Sequence, residues 1–264
     1  MGERSEWKLD NQHFLVYQNS IPSERVRFCV LPRMFSALIV QEIRMPKETL
    51  AEQIANHLRR DILRGNRAPG MSVKERDIAS DMNVSRTPIR EAIRILSKEG
   101  LVELRPSRSP IVALSNFQEI ADQTEVLIAL EKLSAELACK NATEADLKRL
   151  ESIVAYMAEH YNAIDPLDMF EVDMSFHTAI AVASGNKALA ETHGTFLRRL
   201  WRARYLAARQ RRNRERVVNQ HTAILDAMHA RDGQAARDAI NNHLQNLADD
   251  IKSAIQHETV HQDT

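Results

Sequence analysis

From Thr49 onward, apolar residues recur at helical spacing. Leu50, Ile54, Leu58 and Ile62 return every four residues, and Gly65 with "APG" at 68–70 ends that stripe. A shorter helix is predicted over about 74–82, with Ile78, Ala79 and Met82 turned inward and Asn83 supplying a tight turn. In "VSRTPIREAIRIL" (84–96), Ile89, Ala92, Ile93 and Leu96 form one face of a third helix, and Arg86, Arg90 and Arg94 point away from it. Ser85 or Thr87 is expected to cap this helix, and Pro88 suits its first turn, where a missing N–H costs no internal hydrogen bond. After Gly100 come two short apolar runs, "LVEL" at 101–104 and "IVAL" at 111–114, with "RPSRSP" between them as a hairpin tip. Three helices and a hairpin predict a winged helix-turn-helix over 46–115.

Past Ser115 the strand signals fade. Helices are predicted at about 116–140, 143–160, 166–183, 187–209, 213–230 and 233–256. Thr143 with Asp146 resembles a capping box, Pro166 opens a helix, Gly185 follows one, and "RDG" at 231–233 marks a turn. The fold class is therefore mainly α, a winged helix-turn-helix followed by an all-helical bundle of about six helices over 116–257, with 258–264 as a tail. Residues 1–45 carry no sustained period and read as a poorly ordered extension or an irregular arm, with Met34 and Met45 as alternative starts.

Composition agrees with helix. Apolar residues make up 44% and aromatics only 5%, with seven glycines, whereas β proteins lean on aromatics, β-branched residues and glycine turns. The formal net charge is zero, but the average conceals an asymmetry. Residues 46–115 carry 13 Lys and Arg against 9 Asp and Glu, a net of +4; residues 116–264 carry 17 against 22, a net of −5. Only the first part is suited to a polyanion. Cys29 and Cys139 fit neither a disulfide framework nor a metal-ligand spacing, which points to a reducing cytoplasm. No apolar run approaches the roughly 18 residues of a membrane span, and no signal-peptide pattern opens the chain.

A helix fits the major groove of B-DNA, and its N-terminus offers free N–H groups to phosphates. Arg86 can reach guanine edges or clamp phosphate, Ser85 and Thr87 can touch phosphate or a thymine methyl, and Arg90 lies one turn on along the same face. Arg76 from the preceding helix can brace the DNA backbone. The competing reading is a solvated arginine-rich face. The preceding helix, the Asn83 turn and the hairpin favour DNA.

Eight of the ten histidines follow residue 159. Asp173 and His177 sit four apart on the apolar stripe of 166–183, His221 falls on that of 213–230 and His243 on that of 233–256; His193 is borderline. Three imidazoles and one carboxylate facing inward from three helices form a candidate site for a divalent metal, with Zn favoured and Ni or Fe also suited. Equally, Asp173 and His177 could simply pair, and buried histidines are often satisfied by a nearby acid or backbone group. Arg198, Arg202 and Arg204 are either surface arginines or partners for a second carboxylate, and spacing does not decide between them. "RQRRNRER" at 209–216 reads as a solvated helix start or interdomain loop.

The stretch "VKERDIASDMNVSRTPIREAIRILSKEGLVELRPSRSPIVA", preceded by "LRRDILRGNRAPG", resembles the DNA-binding domain of GntR-type transcriptional regulators, over 49–114. The resemblance implies that Arg76, Arg86 and Arg90 contact DNA with Ser85 and Thr87 assisting. One departure is the wing, where Ser107, Ser109 and Pro110 stand in place of the glycine of many relatives; Arg105 and Arg108 remain there for the minor groove. "EVDMSFHTAIAVASGNKALAE" with "NQHTAILDAMHARDGQAARDAINNHLQN" is similar to the all-helical FCD effector domain of the FadR-like branch, over about 117–255. That likeness implies a metal held by Asp173, His177, His221 and His243 and an effector that is a small organic or sugar acid. Leu127 departs from an arginine common before the "LE" of Leu130 and Glu131, which removes one polar contact to the ligand.

The expectation is a cytoplasmic, homodimeric repressor that reads a pseudo-palindromic double-stranded DNA operator and responds to a small carboxylate effector, with no membrane partner. The alternatives are a metal-dependent enzyme acting on a small carboxylate, against which no "HExxH" or adjacent general acid or base is present, and an architectural DNA-binding protein without effector.

Overall fold

The computed structural model describes residues 48–114 and 116–262; the expected extension 1–45 lies outside the described residues. The first helix, α1 (Leu50–Arg64), begins at a reciprocal cap. The Glu52 N–H donates to Thr49 Oγ1 (3.2 Å), and the Thr49 N–H donates to Glu52 Oε2 (2.7 Å). It ends at Gly65, whose φ of 83° is costly for any residue with a Cβ. Helices α2 (Glu75–Asp81) and α3 (Arg86–Lys98) follow, and Asn83 (φ 52°) makes the left-handed turn between them. Strands β1 (Val102–Glu103) and β2 (Ile111–Val112) pair antiparallel with Val102 opposite Val112. Ser72 bridges to Ile111 beside them, and the Val73 N–H donates to Pro110 O (2.8 Å). Ile54, Leu58, Ile62, Ile89, Ile93 and Leu96 fill one core beneath this head.

The remaining helices are α4 (Phe117–Asn141), α5 (Glu144–His160), α6 (Pro166–Ala183), α7 (Lys187–Arg199), α8 (Trp201–Gln210), α9 (Arg214–His229), α10 (Gly233–Leu244) and α11 (Leu247–Gln262). The Thr143–Asp146 capping box is formed, and Pro166 sits at the start of α6 behind an Asp165 cap. In the main bundle core α4 packs against α6, α9 and α10, and α5 packs against α6 and α9.

Two predicted segments each prove to be two helices, so the bundle has eight helices among the described residues rather than six. The 187–209 segment breaks at Leu200. Leu197, Leu200 and Tyr205 pack with Leu167 and Phe170, whereas Ala203, Leu206 and Ala207 face Ile251, Ala254 and Ile255 of α11. The 233–256 segment breaks at Gln245 and Asn246. Leu244 stays in the main core and Ile251 turns onto α8. Neither break carries Gly or Pro, so the period runs through both unmarked. The expected tail at 258 is also corrected, because α11 continues to Gln262 and Arg202 Nη2 donates to Glu258 Oε2 (2.5 Å) at that point.

Head and bundle share a seam. Leu63 of α1 is buried with Leu127, Leu167, Phe170 and Met174. Arg60 donates to Asp168 Oδ1 (2.5 Å) and Glu171 Oε2 (2.7 Å), both on α6. Arg59 forks onto Glu99 at 2.9 and 2.7 Å, tying α1 to the end of α3.

Leu96 is fully buried at the centre of the head core. Its replacement by alanine is expected to cost about 2–5 kcal/mol, read as a lowered denaturant midpoint for the head; an unchanged midpoint would show that this core does not hold the reading helix.

Candidate metal centre and DNA-reading surface

Ser85 takes the N-cap position of α3, yet its side chain makes no capping bond. Part of the cause is local: an N-cap oxygen accepts from the second or third helical N–H, and the third residue here is Pro88, which has none, so only the Thr87 N–H remains as a donor. The Ser85 hydroxyl and the first amides of α3 are thereby left to solvent or to an anion. Ser85, Arg86 and Thr87 are exposed together at this end, with Arg90 one turn on and Arg76 exposed on α2. Arg76 and Arg86 make no hydrogen bond or ion pair with a described residue. Arg90 instead forks onto Glu75 at 3.2 and 3.0 Å, which fixes its guanidinium between α2 and α3. In the wing, Ser107 adopts the left-handed backbone (φ 55°) that glycine takes at no cost. Arg105 Nε and Nη2 both donate to Ser109 O (3.0 and 2.7 Å) and close the tip, while Arg108 stays exposed.

The structure brings Asp173, His177, His221 and His243 together, one ligand atom from each lying within 4.8 Å of the others. His177 Nε2 is 3.3 Å from His243 Nε2 and 3.7 Å from Asp173 Oδ1, and His221 Nε2 is 2.6 Å from Asp173 Oδ1. Each ring's other nitrogen faces an acceptor: His177 Nδ1 and Glu131 Oε2 (2.9 Å), His221 Nδ1 and Val217 O (2.7 Å), His243 Nδ1 and Gln220 Oε1 (3.1 Å). Carboxylate and carbonyl oxygens only accept, so each Nδ1 carries its proton and leaves a lone pair on Nε2. Three lone pairs and a carboxylate then converge, an arrangement that a cation satisfies and that otherwise demands extra protons. The donor set therefore fits a divalent metal, and the Nδ1 acceptors are the supports that orient imidazole ligands.

Burial alone would raise the Asp173 carboxyl. With protons in place of a cation, the charge and hydrogen bond of His221, and then the charge of His177, outweigh it and hold the group well below the usual carboxylate range. His243 is pushed well below the ordinary imidazole value, first by burial and then by His221 and His177, which keeps the ring neutral as a ligand must be.

Glu131 was named in the sequence only as part of the "LE" pair, and it is the group that ties the site together. It is fully buried, accepting from His177 Nδ1 (2.9 Å) and His193 Nε2 (3.0 Å), with Arg204 Nη1 at 3.6 Å. Burial raises its carboxyl, but the charges of His177 and His193 and the hydrogen bonds they donate hold it well below the ordinary value. Its place four residues after Leu127 and four before Ala135 on the inward stripe of α4 was the available signal. His193, borderline in the sequence, is fully buried between Leu189 and Leu197 of α7. Leu127 is packed in apolar surroundings and offers the site no polar contact. The Arg202 and Arg204 side chains are buried and Arg198 is exposed. The 209–216 cluster grips the bundle, with Arg212 Nη2 donating to Tyr161 O (2.5 Å) and Arg214 Nε to Ala158 O (3.0 Å). A cavity opens beside the cluster, bordered by Asp173, His221, His243, Phe170, Tyr205 and Arg204.

A winged helix-turn-helix with an exposed arginine-bearing reading helix, joined to a helical bundle around a histidine–carboxylate cluster, defines a two-part DNA-binding regulator. Residues 50–112 match the bacterial regulatory proteins of the gntR family and residues 122–246 match the FCD domain. The chain is 31% identical to the Exu regulon transcriptional regulator of Escherichia coli (strain K12), covering 78% of this chain and 85% of that one. It is 28% identical to the HTH-type transcriptional repressor RspR of the same strain, covering 80% and 92%. Its fold is that of E. coli McbR/YncC, with a TM-score of 0.64 at 20% identity over 80% of this chain and 99% of that one. The chain belongs to the GntR family of transcriptional regulators, in the FadR-like group that carries an FCD domain. Its relatives are regulators of transcription, not enzymes, which removes the enzymatic alternative. No helix among the described residues is long and apolar enough to cross a membrane.

Glu131→Gln leaves the volume of the site unchanged but removes the charge that holds His177. Metal affinity is expected to fall about 10–100-fold, measured by competition with a chelator; equal affinity would show that Glu131 serves packing alone.

Proposed function

We propose that the chain is a ligand-responsive repressor of a catabolic operon, binding a pseudo-palindromic operator as a homodimer in the cytoplasm. Its effector is a small organic or sugar acid received in the cavity beside a divalent metal on Asp173, His177, His221 and His243. The observation that carries the reading is that this ligand cluster borders the cavity on the same helix, α6, that holds the reading head through Arg60. Three imidazoles and one carboxylate suit zinc, with nickel or iron as further fits. Bound there, the metal would supply Lewis acidity toward an anionic ligand.

The protein's own residues supply the rest. The exposed Arg86, Ser85 and Thr87 would enter the major groove at the amino end of α3, with Arg90 and Arg76 on the flanking backbone. Pro166, Met169 and Phe170 in the first half of α6 border the cavity, and Asp168 and Glu171 on the same turns hold Arg60 of α1. An acid that packs against this half of α6 in one state better than in another would shift α1 and hence the spacing of two reading heads. It can do so only by its differential affinity for those states. The buried polar cluster speaks against a purely architectural role, because a dimerising bundle needs no such constellation.

The test is fluorescence anisotropy on DNA from upstream of the protein's own gene, at stated salt and with nonspecific competitor. Arg86→Ala is expected to weaken operator binding by ~1–3 kcal/mol, roughly 5- to 150-fold. A variant as tight as wild type would remove Arg86 from the reading surface, and operator affinity unchanged by any organic acid would end the regulatory half of the proposal. Arg60→Ala is expected to keep acid binding, seen by calorimetry, while losing most of the acid's effect on operator affinity. An undiminished effect would exclude α6 as the link.

A further inference from the structure

Of the arginines around the cavity, several are already engaged. Arg211 pairs with Asp250 at 2.5 Å, Arg212 donates to Tyr161 O and lies 5.3 Å over the Tyr161 ring, and Arg216 donates to Arg211 O at 3.1 Å. Arg204 differs. It is 4% exposed, and its Nη1 has no hydrogen-bond partner among the described residues. Its one ion-pair partner among the described residues, Glu131, lies 3.6 Å away, beyond hydrogen-bond reach, and the two Glu131 oxygens already accept from His177 and His193. A guanidinium presents its donors in a flat fork matched to a carboxylate, and burying one with donors unmade is unfavourable until something accepts them. This one borders the same cavity as Asp173, His221 and His243.

Resting on the functional reading above, we infer that Arg204 is a second anion-binding point of the cavity, so that the effector carries two acidic groups. One group sits at the Asp173–histidine cluster and the other in the Arg204 fork, with Phe170, Met169 and Leu244 against the carbon skeleton between them. Leu127 offers no competing polar contact, because it is buried in apolar packing with Leu63 and Leu167. A small dicarboxylic acid, or a sugar acid oxidised at both ends, matches this pair of sites. A monoacid fills one of them and leaves the Arg204 donors unmade. The selectivity thus comes from a polar group left unpaired by the wrong ligand, which discriminates more sharply than fit alone.

The experiment is titration calorimetry on the full-length, zinc-loaded protein with malonate, succinate and glutarate against acetate, butyrate and succinamate, the last being succinate with one acid turned to amide. At least one diacid is expected to bind tenfold or more tighter than every monoacid. In Arg204→Gln that preference collapses toward one, while Arg204→Lys, which keeps the charge without the fork, restores part of it. Operator affinity in the absence of acid stays at the wild-type value in both variants. Equal binding of diacids and monoacids by the wild-type protein, binding of none of the diacids, or a preference that survives in Arg204→Gln overturns the inference. None of these outcomes touches the functional reading, which fails separately if the wild-type protein holds no zinc or if its operator ignores organic acids altogether.

Discussion

Glu131 is a carboxylate with no exposed surface in the middle of a helical bundle, and the arrangement around it follows from that burial. An ionised group taken out of water costs several kcal/mol unless close partners replace the lost hydration. Here the partners come from three different helices: His177 from α6, His193 from α7 and Arg204 from α8. Satisfying Glu131 therefore sets the rotation of each helix about α4. It also points the free nitrogen of His177 at Asp173 and His243, so a demand for neutralisation in the core becomes the geometry of a ligand cluster at the edge of a cavity.

Helix α6 then couples two regions that are far apart in sequence. Its first turns carry Asp168 and Glu171, which hold Arg60 of the reading head, and its middle carries Asp173 and His177. A helix held by internal hydrogen bonds moves nearly as a rod, so a displacement at Asp173 would reach Asp168, about one and a half turns away. Half-exposed ion pairs such as those of Arg60 contribute little stability individually. Their value lies in direction, since they link α1 to one chosen face of α6, while the apolar contacts of Leu63 supply the adhesion.

The reading head shows a comparable economy at α3. Proline as the third helical residue removes one of the two N–H groups that could cap onto Ser85, the Ser85 side chain makes no capping bond, and the helix begins with its anion-binding groups uncommitted. In the wing, Ser107 takes the left-handed backbone and Arg105 donates from Nε and Nη2 to Ser109 O, which holds the tip. A basic side chain counted along the sequence is thus not always a basic side chain available to DNA.

Most of the architecture was legible in the chain itself because it depends on neighbours within a turn or two. The Thr143 capping box, the Gly65 and Asn83 turns, Pro166 at a helix start and the stripes of α1, α3, α6 and α9 are local consequences of residue type. The four cluster residues could be nominated the same way, since an ionisable group on an apolar stripe must face inward. Tertiary packing alone decided the rest. The helix breaks at Leu200 and at Gln245 carry no Gly or Pro and fall where the chain begins to serve a further core, that of Ala203, Leu206 and Ile251. Glu131 and His193 became one network with His177, and Arg204 came to lie beside Glu131 with its Nη1 unbonded among the described residues, through distances of 46, 62 and 73 positions along the chain. Sequence period reports which face of a helix is apolar; it carries no information about which other helix that face will meet. The partners of a buried charge are therefore settled only when the helices pack.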